Sequence, residues 1–130
     1  MTNYFGIILK LGDGECICLS QNNIYYPIQK DKNLQFGLTT SLCNGNALNY
    51  FHHKFISCND LKEIDGFILT TDGVVDSYSD NDLKSLSQKI MNEFYKDEEY
   101  TKKQLKEWLQ NLTKQGSHDD MTISGIFINR

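Results

Sequence analysis

The sequence predicts an α+β fold, on three observations. Short β-rich runs separated by Gly and Asn turns fill the first half. The run Phe67-Ile68-Leu69-Thr70-Thr71 is apolar and β-rich, as a central strand is. Two stretches of helical periodicity then precede one last strand, so helices and strands do not alternate as in a βαβ series. At 130 residues and 15.0 kDa the chain suits one domain, residues 1–130, burying roughly two-thirds of its extended surface. A composition 39% hydrophobic and 23% charged excludes disorder as the main state.

Residues 4–11 read as a buried strand. Gly12-Asp13-Gly14 reads as a tight turn, with residues 15–19 as the return strand of a hairpin. Asn22-Asn23 turns the chain again before residues 24–28. The polar, Asn- and Gly-rich stretch 29–49 reads as irregular, with one short strand over 36–39. Residues 50–57 form a further strand. Leu83, Leu86, Ile90 and Phe94 recur at spacings of three and four, a helical stripe that Ser79, Asp80 or Asn81 can cap. A second helix is predicted from Thr101, with Gln104 three residues on as a capping box. Its apolar face is Leu105, Trp108, Leu109 and Leu112. Lys114 falls in its last turn and Gly116 at its C-cap. Residues 121–128 form the last strand.

Charge and composition narrow the function classes. The net charge is −4, and residues 60–100 carry eleven acids against four Lys. The only Arg is Arg130. A nucleic-acid partner calls for a basic patch, which is absent from this sequence. No apolar run approaches the ~20 residues of a membrane helix, and no signal-peptide pattern is present, so a cytoplasmic location is expected. Cys16, Cys18, Cys43 and Cys58 form no CxxC pair, and buried free thiols are expected, with Cys16 and Cys18 facing one layer. His52 and His53 alternate in a strand, one in and one out, and are no metal pair; His118 is expected to be an exposed loop residue without a role.

Three aspartates stand where strands end or begin: Asp13 in its Gly turn, Asp72 after the central strand, and Asp119 before the last strand. Carboxylates on rigid strand ends can face a common cleft. They repel one another unless a cation sits among them. Oxygen-only ligands select hard ions, Mg²⁺ or Mn²⁺, over zinc or copper.

Asp65-Gly66-Phe67-Ile68-Leu69-Thr70-Thr71-Asp72-Gly73-Val74-Val75-Asp76 resembles a signature of the metal-dependent type 2C (PPM-type) Ser/Thr protein phosphatases. Gly116-Ser117-His118-Asp119-Asp120-Met121-Thr122 is similar to that family's late G-S-x-D motif, and Gly12-Asp13-Gly14 to its early G-D motif. The three occur in the family's order. The resemblance implies a two-sheet antiparallel β-sandwich with helices on both outer faces. It implies metal-activated water attacking phosphoserine and phosphothreonine, with Mn²⁺ or Mg²⁺ as cofactor. Asp72 and Asp119 match ligands of the first metal; Asp13 and Asp76, with Asp72, match a weaker third site. Gly73, Asp120 and Thr122 stand beside these ligands. No side chain beyond the metal ligands is assigned a catalytic role.

The family's Arg that grips phosphate, its acidic pair and its Asp-Gly-His motif have no counterpart in this sequence. The chain therefore resembles the C-terminal half of such a domain, a partial sandwich with two helices before the final strand. The expected partners are a phosphoprotein substrate or a regulatory protein, and either a complementary N-terminal half or a second copy. The alternative is a catalytically inactive pseudophosphatase acting as a protein-binding module.

Overall fold

The computed structural model describes residues 5–21, 23–29, 40–43, 45–114 and 120–128. The strand expected over 36–39, the C-cap Gly116, His118 and Asp119 lie outside the described residues. Six strands are present among the described residues: β1 (Phe5–Lys10), β2 (Glu15–Ser20), β3 (Asn23–Tyr25), β4 (His52–Ser57), β5 (Ile64–Thr70) and β6 (Ile123–Phe127). The helices are α1 (Cys58–Leu61), α2 (Asp72–Val75), α3 (Asp80–Lys96) and α4 (Glu98–Leu112). A 3₁₀ turn, Ala47–Tyr50, takes the start of the strand expected over 50–57.

The strands form two antiparallel sheets. One has the order β3-β2-β5-β6, and the other pairs β1 with β4. β2 and β5 are central because both their faces are apolar. Ile17, Leu19 and Ile68 pack with Val74, Val75, Leu83, Ile90 and Met91 on the helix side. Cys16, Cys18, Ile64 and Phe67 pack with Ile56 of β4 on the other side, with Ile8 of β1 against them. Ile64 and Phe67 share a face despite their odd spacing. A register shift, with Leu19 opposite Gly66 and Ser20 opposite Ile64, resets the alternation between them.

The hairpin expected from β1 to β2 does not form. β1 pairs with β4, Phe5 opposite Ser57 and Lys10 opposite His52, while β2 pairs with β3 and β5. The turn between them carries the chain from one sheet to the other. Gly12, at φ 90°, supplies the left-handed backbone this crossing needs. The burial patterns explain the separation. β2 is buried from Glu15 to Leu19 and needs cover on both faces, whereas β1 buries only Gly6 and Lys10 fully.

The helices cover one outer face of the sandwich among the described residues. α3 starts at the expected cap, Ser79, whose hydroxyl accepts from the Asp82 amide at 3.2 Å. α4 starts three residues earlier than expected. Asp97 is its N-cap, its carboxylate accepting from the Tyr100 amide at 2.9 Å. Thr101 is instead buried in the first turn, its hydroxyl donating to the Asp97 carbonyl at 2.7 Å. A carboxylate caps better than the Thr hydroxyl because it also faces the positive end of the helix dipole. Trp108 packs partly buried against the helix-side core and near Tyr78, centroids 5.9 Å apart.

The outer face of β1 and β4 is uncovered among the described residues. Phe5, Ile7, Leu9 and Phe55 are exposed there, Leu9 by 63% and Phe55 by 60%. His52 and His53 are both exposed, rather than one in and one out. None of the four cysteines is in a disulfide. Cys16 and Cys18 are buried in the inter-sheet layer as expected, but Cys43 and Cys58 are exposed. Burial, with Cys18 and Glu15 nearby, pushes the Cys16 thiol up to about 12. No helix among the described residues is long and apolar enough to cross a membrane.

The position of the α4 cap is open to test. Asp97→Ala is expected to lower stability by about 1 kcal/mol, and Gln104→Ala by less than about 0.5 kcal/mol, in urea denaturation followed by circular dichroism. Equal losses would restore Thr101 as the start of the helix.

Candidate functional site

The β2–β5 register builds the site. Glu15 stands opposite Thr70, so the turn before β2 meets the residues after β5. The approach is close: a Cβ on Gly14 would lie 2.7 Å from the Thr70 carbonyl oxygen and 3.8 Å from Thr71 Cα. Only glycine fits there. Asp13 and Asp72 consequently stand at one end of the same sheet, each half-buried.

Asp72 opens α2, a single turn. Its carboxylate Oδ1 accepts from the Gly73 amide at 2.9 Å. Gly73 is buried, and its carbonyl accepts from the Ser77 hydroxyl at 2.7 Å. Asp76 caps the turn, exposed, its amide donating to the Asp72 carbonyl at 2.8 Å. Residues four apart in a helical turn share a face, so the carboxylates of Asp72 and Asp76 repel in the absence of a cation.

Asp120 and Thr122 are tied to the same end. The Thr71 hydroxyl donates to the Asp120 carbonyl at 3.1 Å, and the Thr122 amide donates to that hydroxyl at 2.9 Å. Thr122 thus takes part through its backbone, and the side chain of Asp120 is exposed. The described part of the site therefore brings Asp13, Asp72, Asp76 and Asp120 to one end of the sheet. Asp119 lies outside the described residues.

Two residues here escaped sequence reading. Lys10 Nζ and Glu15 Oε1 form an ion pair at 2.9 Å, the side chains 6% and 1% exposed. They flank the Gly12-Asp13-Gly14 turn from its two ends. Thr70 Oγ1, on the residue opposite Glu15, is buried without a hydrogen-bond partner among the described residues. The available signal was the alternation Gly6, Ile8, Lys10, which puts Lys10 on the inner face of β1. The pair is neutral as a unit and adds no net charge next to the aspartates.

The donors fit a hard divalent cation in kind, being carboxylate oxygens on short, rigid connections. They fall short in number: among the described residues, no three His, Cys, Asp or Glu side chains are grouped as a metal site.

A family model for protein phosphatase 2C matches residues 1–110. The chain belongs to the protein phosphatase 2C family. The matched residues include Asp13, Asp72 and Asp76 and stop inside α4, before Asp119 and β6. Neither the curated proteins nor the solved structures gave a match. The α+β architecture of stacked antiparallel sheets and helices agrees with membership in the phosphatase 2C family.

The ion pair yields a prediction about this phosphatase-like domain. Lys10→Met alone leaves a buried carboxylate without its cation and is expected to cost about 3–5 kcal/mol. Lys10→Met combined with Glu15→Leu is expected to recover most of that loss, as read from a double-mutant cycle in urea. Additive losses would show that the two side chains act independently.

Proposed function

We propose that the chain is the C-terminal half of a metal-dependent Ser/Thr phosphatase domain that hydrolyses phosphomonoesters. The observation that supports this reading is the β2–β5 register, which brings the Gly14 turn against Thr70 and Thr71, so that the neighbours of Asp13 and Asp72 are in contact. In this reading Asp72, with Asp119, holds Mn²⁺ or Mg²⁺, and Asp13 and Asp76 hold a weaker ion beside it. When bound, such an ion neutralises phosphoryl oxygens and lowers the pKa of a coordinated water. The protein's own task is to aim the carboxylates. The Gly73 amide holds one oxygen of Asp72 in place. Asp120 and Thr122 hold the incoming strand through backbone bonds.

The phosphate-gripping Arg and the Asp-Gly-His motif of the family must come from elsewhere in this reading. The uncovered face of Phe5, Ile7, Leu9 and Phe55 supports association with a complementary half or a second copy. The substrate is a phosphoprotein. Four cysteines outside any disulfide accord with a cytoplasmic setting.

The second reading is a pseudophosphatase that keeps the fold for binding a regulatory protein. The same apolar face favours it, together with the incomplete carboxylate group among the described residues.

Hydrolysis of an aryl phosphate tests the first reading. Mn²⁺-dependent turnover by the purified chain, lowered on the order of 100-fold in Asp72→Asn, would show that the chain or an oligomer of it completes the site and would decide for the enzyme. Equal silence of both proteins at millimolar Mn²⁺ would exclude catalysis by this chain alone, leaving a partner that supplies the missing half or the binding-module reading.

A further inference from the structure

Thr71 sits where β5 ends and α2 begins, and its backbone has left the sheet. Its carbonyl accepts from the amides of Val74 at 3.2 Å and Val75 at 3.4 Å, starting α2. In an unbroken antiparallel ladder that carbonyl would take the amide of the residue opposite, Thr122. The Thr71 amide still donates to the Thr122 carbonyl, at 3.1 Å. The return bond goes to the side chain: the Thr122 amide donates to Thr71 Oγ1 at 2.9 Å. The same hydroxyl donates its proton to the Asp120 carbonyl at 3.1 Å. It makes no bond to α2, although Thr at an N-cap ordinarily does. A hydroxyl has one proton to give, and here that proton goes to the strand that brings Asp120 in.

We propose that Thr71 is a positioning residue for the metal site, its hydroxyl replacing the ladder carbonyl that α2 has taken away. The backbone can thus turn at Asp72 without releasing the 120–122 segment. The side chain joins the remaining Thr71–Thr122 backbone bond in holding the two acidic segments together. This role rests on the metal-site reading above, and it assigns no chemistry to Thr71 itself. Serine keeps the oxygen. Valine keeps the shape and loses both hydrogen bonds.

The test compares wild type, Thr71→Ser and Thr71→Val by calorimetric titration of the full chain with Mn²⁺. The amide exchange rate of Thr122 is followed in parallel. Asp97→Ala, which weakens the α4 cap and leaves the sheet end intact, controls for stability lost without positioning. Thr71→Val is expected to bind Mn²⁺ about tenfold more weakly and to exchange its Thr122 amide faster. Thr71→Ser and Asp97→Ala are expected to match wild type in affinity. Equal affinity of wild type and Thr71→Val would overturn the positioning role while leaving the metal site standing. Absence of Mn²⁺ binding by wild type at millimolar concentration would overturn the metal reading and the positioning role with it.

Discussion

Antiparallel pairing of β2 with β5, with Glu15 opposite Thr70, decides how Asp13 stands to Asp72. It brings Gly14 against the Thr70 carbonyl, and so brings Asp13 to the residues that begin α2. It also makes these two strands the shared wall of both cores. Ile17, Leu19 and Ile68 serve the helix side, while Cys16, Cys18 and Phe67 serve the inter-sheet side. Shifting this register by one residue would reverse those faces and separate the two aspartates at once. Fold and site are therefore under a single constraint.

Much of that constraint was legible in the sequence. The apolar run at 67–71, the stripe of Leu83, Leu86, Ile90 and Phe94, and the cap Ser79 are local signals, and local physics decides them. The aspartates announced themselves by standing at strand ends beside glycine. The partner of β1 did not. A Gly-Asp-Gly turn serves equally to reverse a chain within a sheet and to pass it between sheets. Only the demand of β2 for cover on both faces chooses between these, and that is a tertiary demand. The start of α4 was misplaced for a smaller reason: Asp97 and Thr101 are both competent caps, one turn apart.

The contacts that finish the site were illegible for a different reason. The Lys10–Glu15 pair joins two sheets that sequence reading had merged into one hairpin. Thr71 reads as one more β-former in an apolar run. Its work depends on a carbonyl having turned away, and no residue type records that. The phosphatase 2C family resemblance supplied the aspartates but not the bonds that hold their segments together.

Both sheets close over long stretches of chain: β1 meets β4 with Lys10 beside His52, and β2 meets β5 with Glu15 beside Thr70. Closing so long a loop costs chain entropy before any contact repays it. The four-stranded sheet with α3 and α4 contains the larger buried cluster and needs no strand from the other sheet to bury it. Opening of the two-stranded sheet would therefore bare the thiols of Cys16 and Cys18 while the helix-side core still holds.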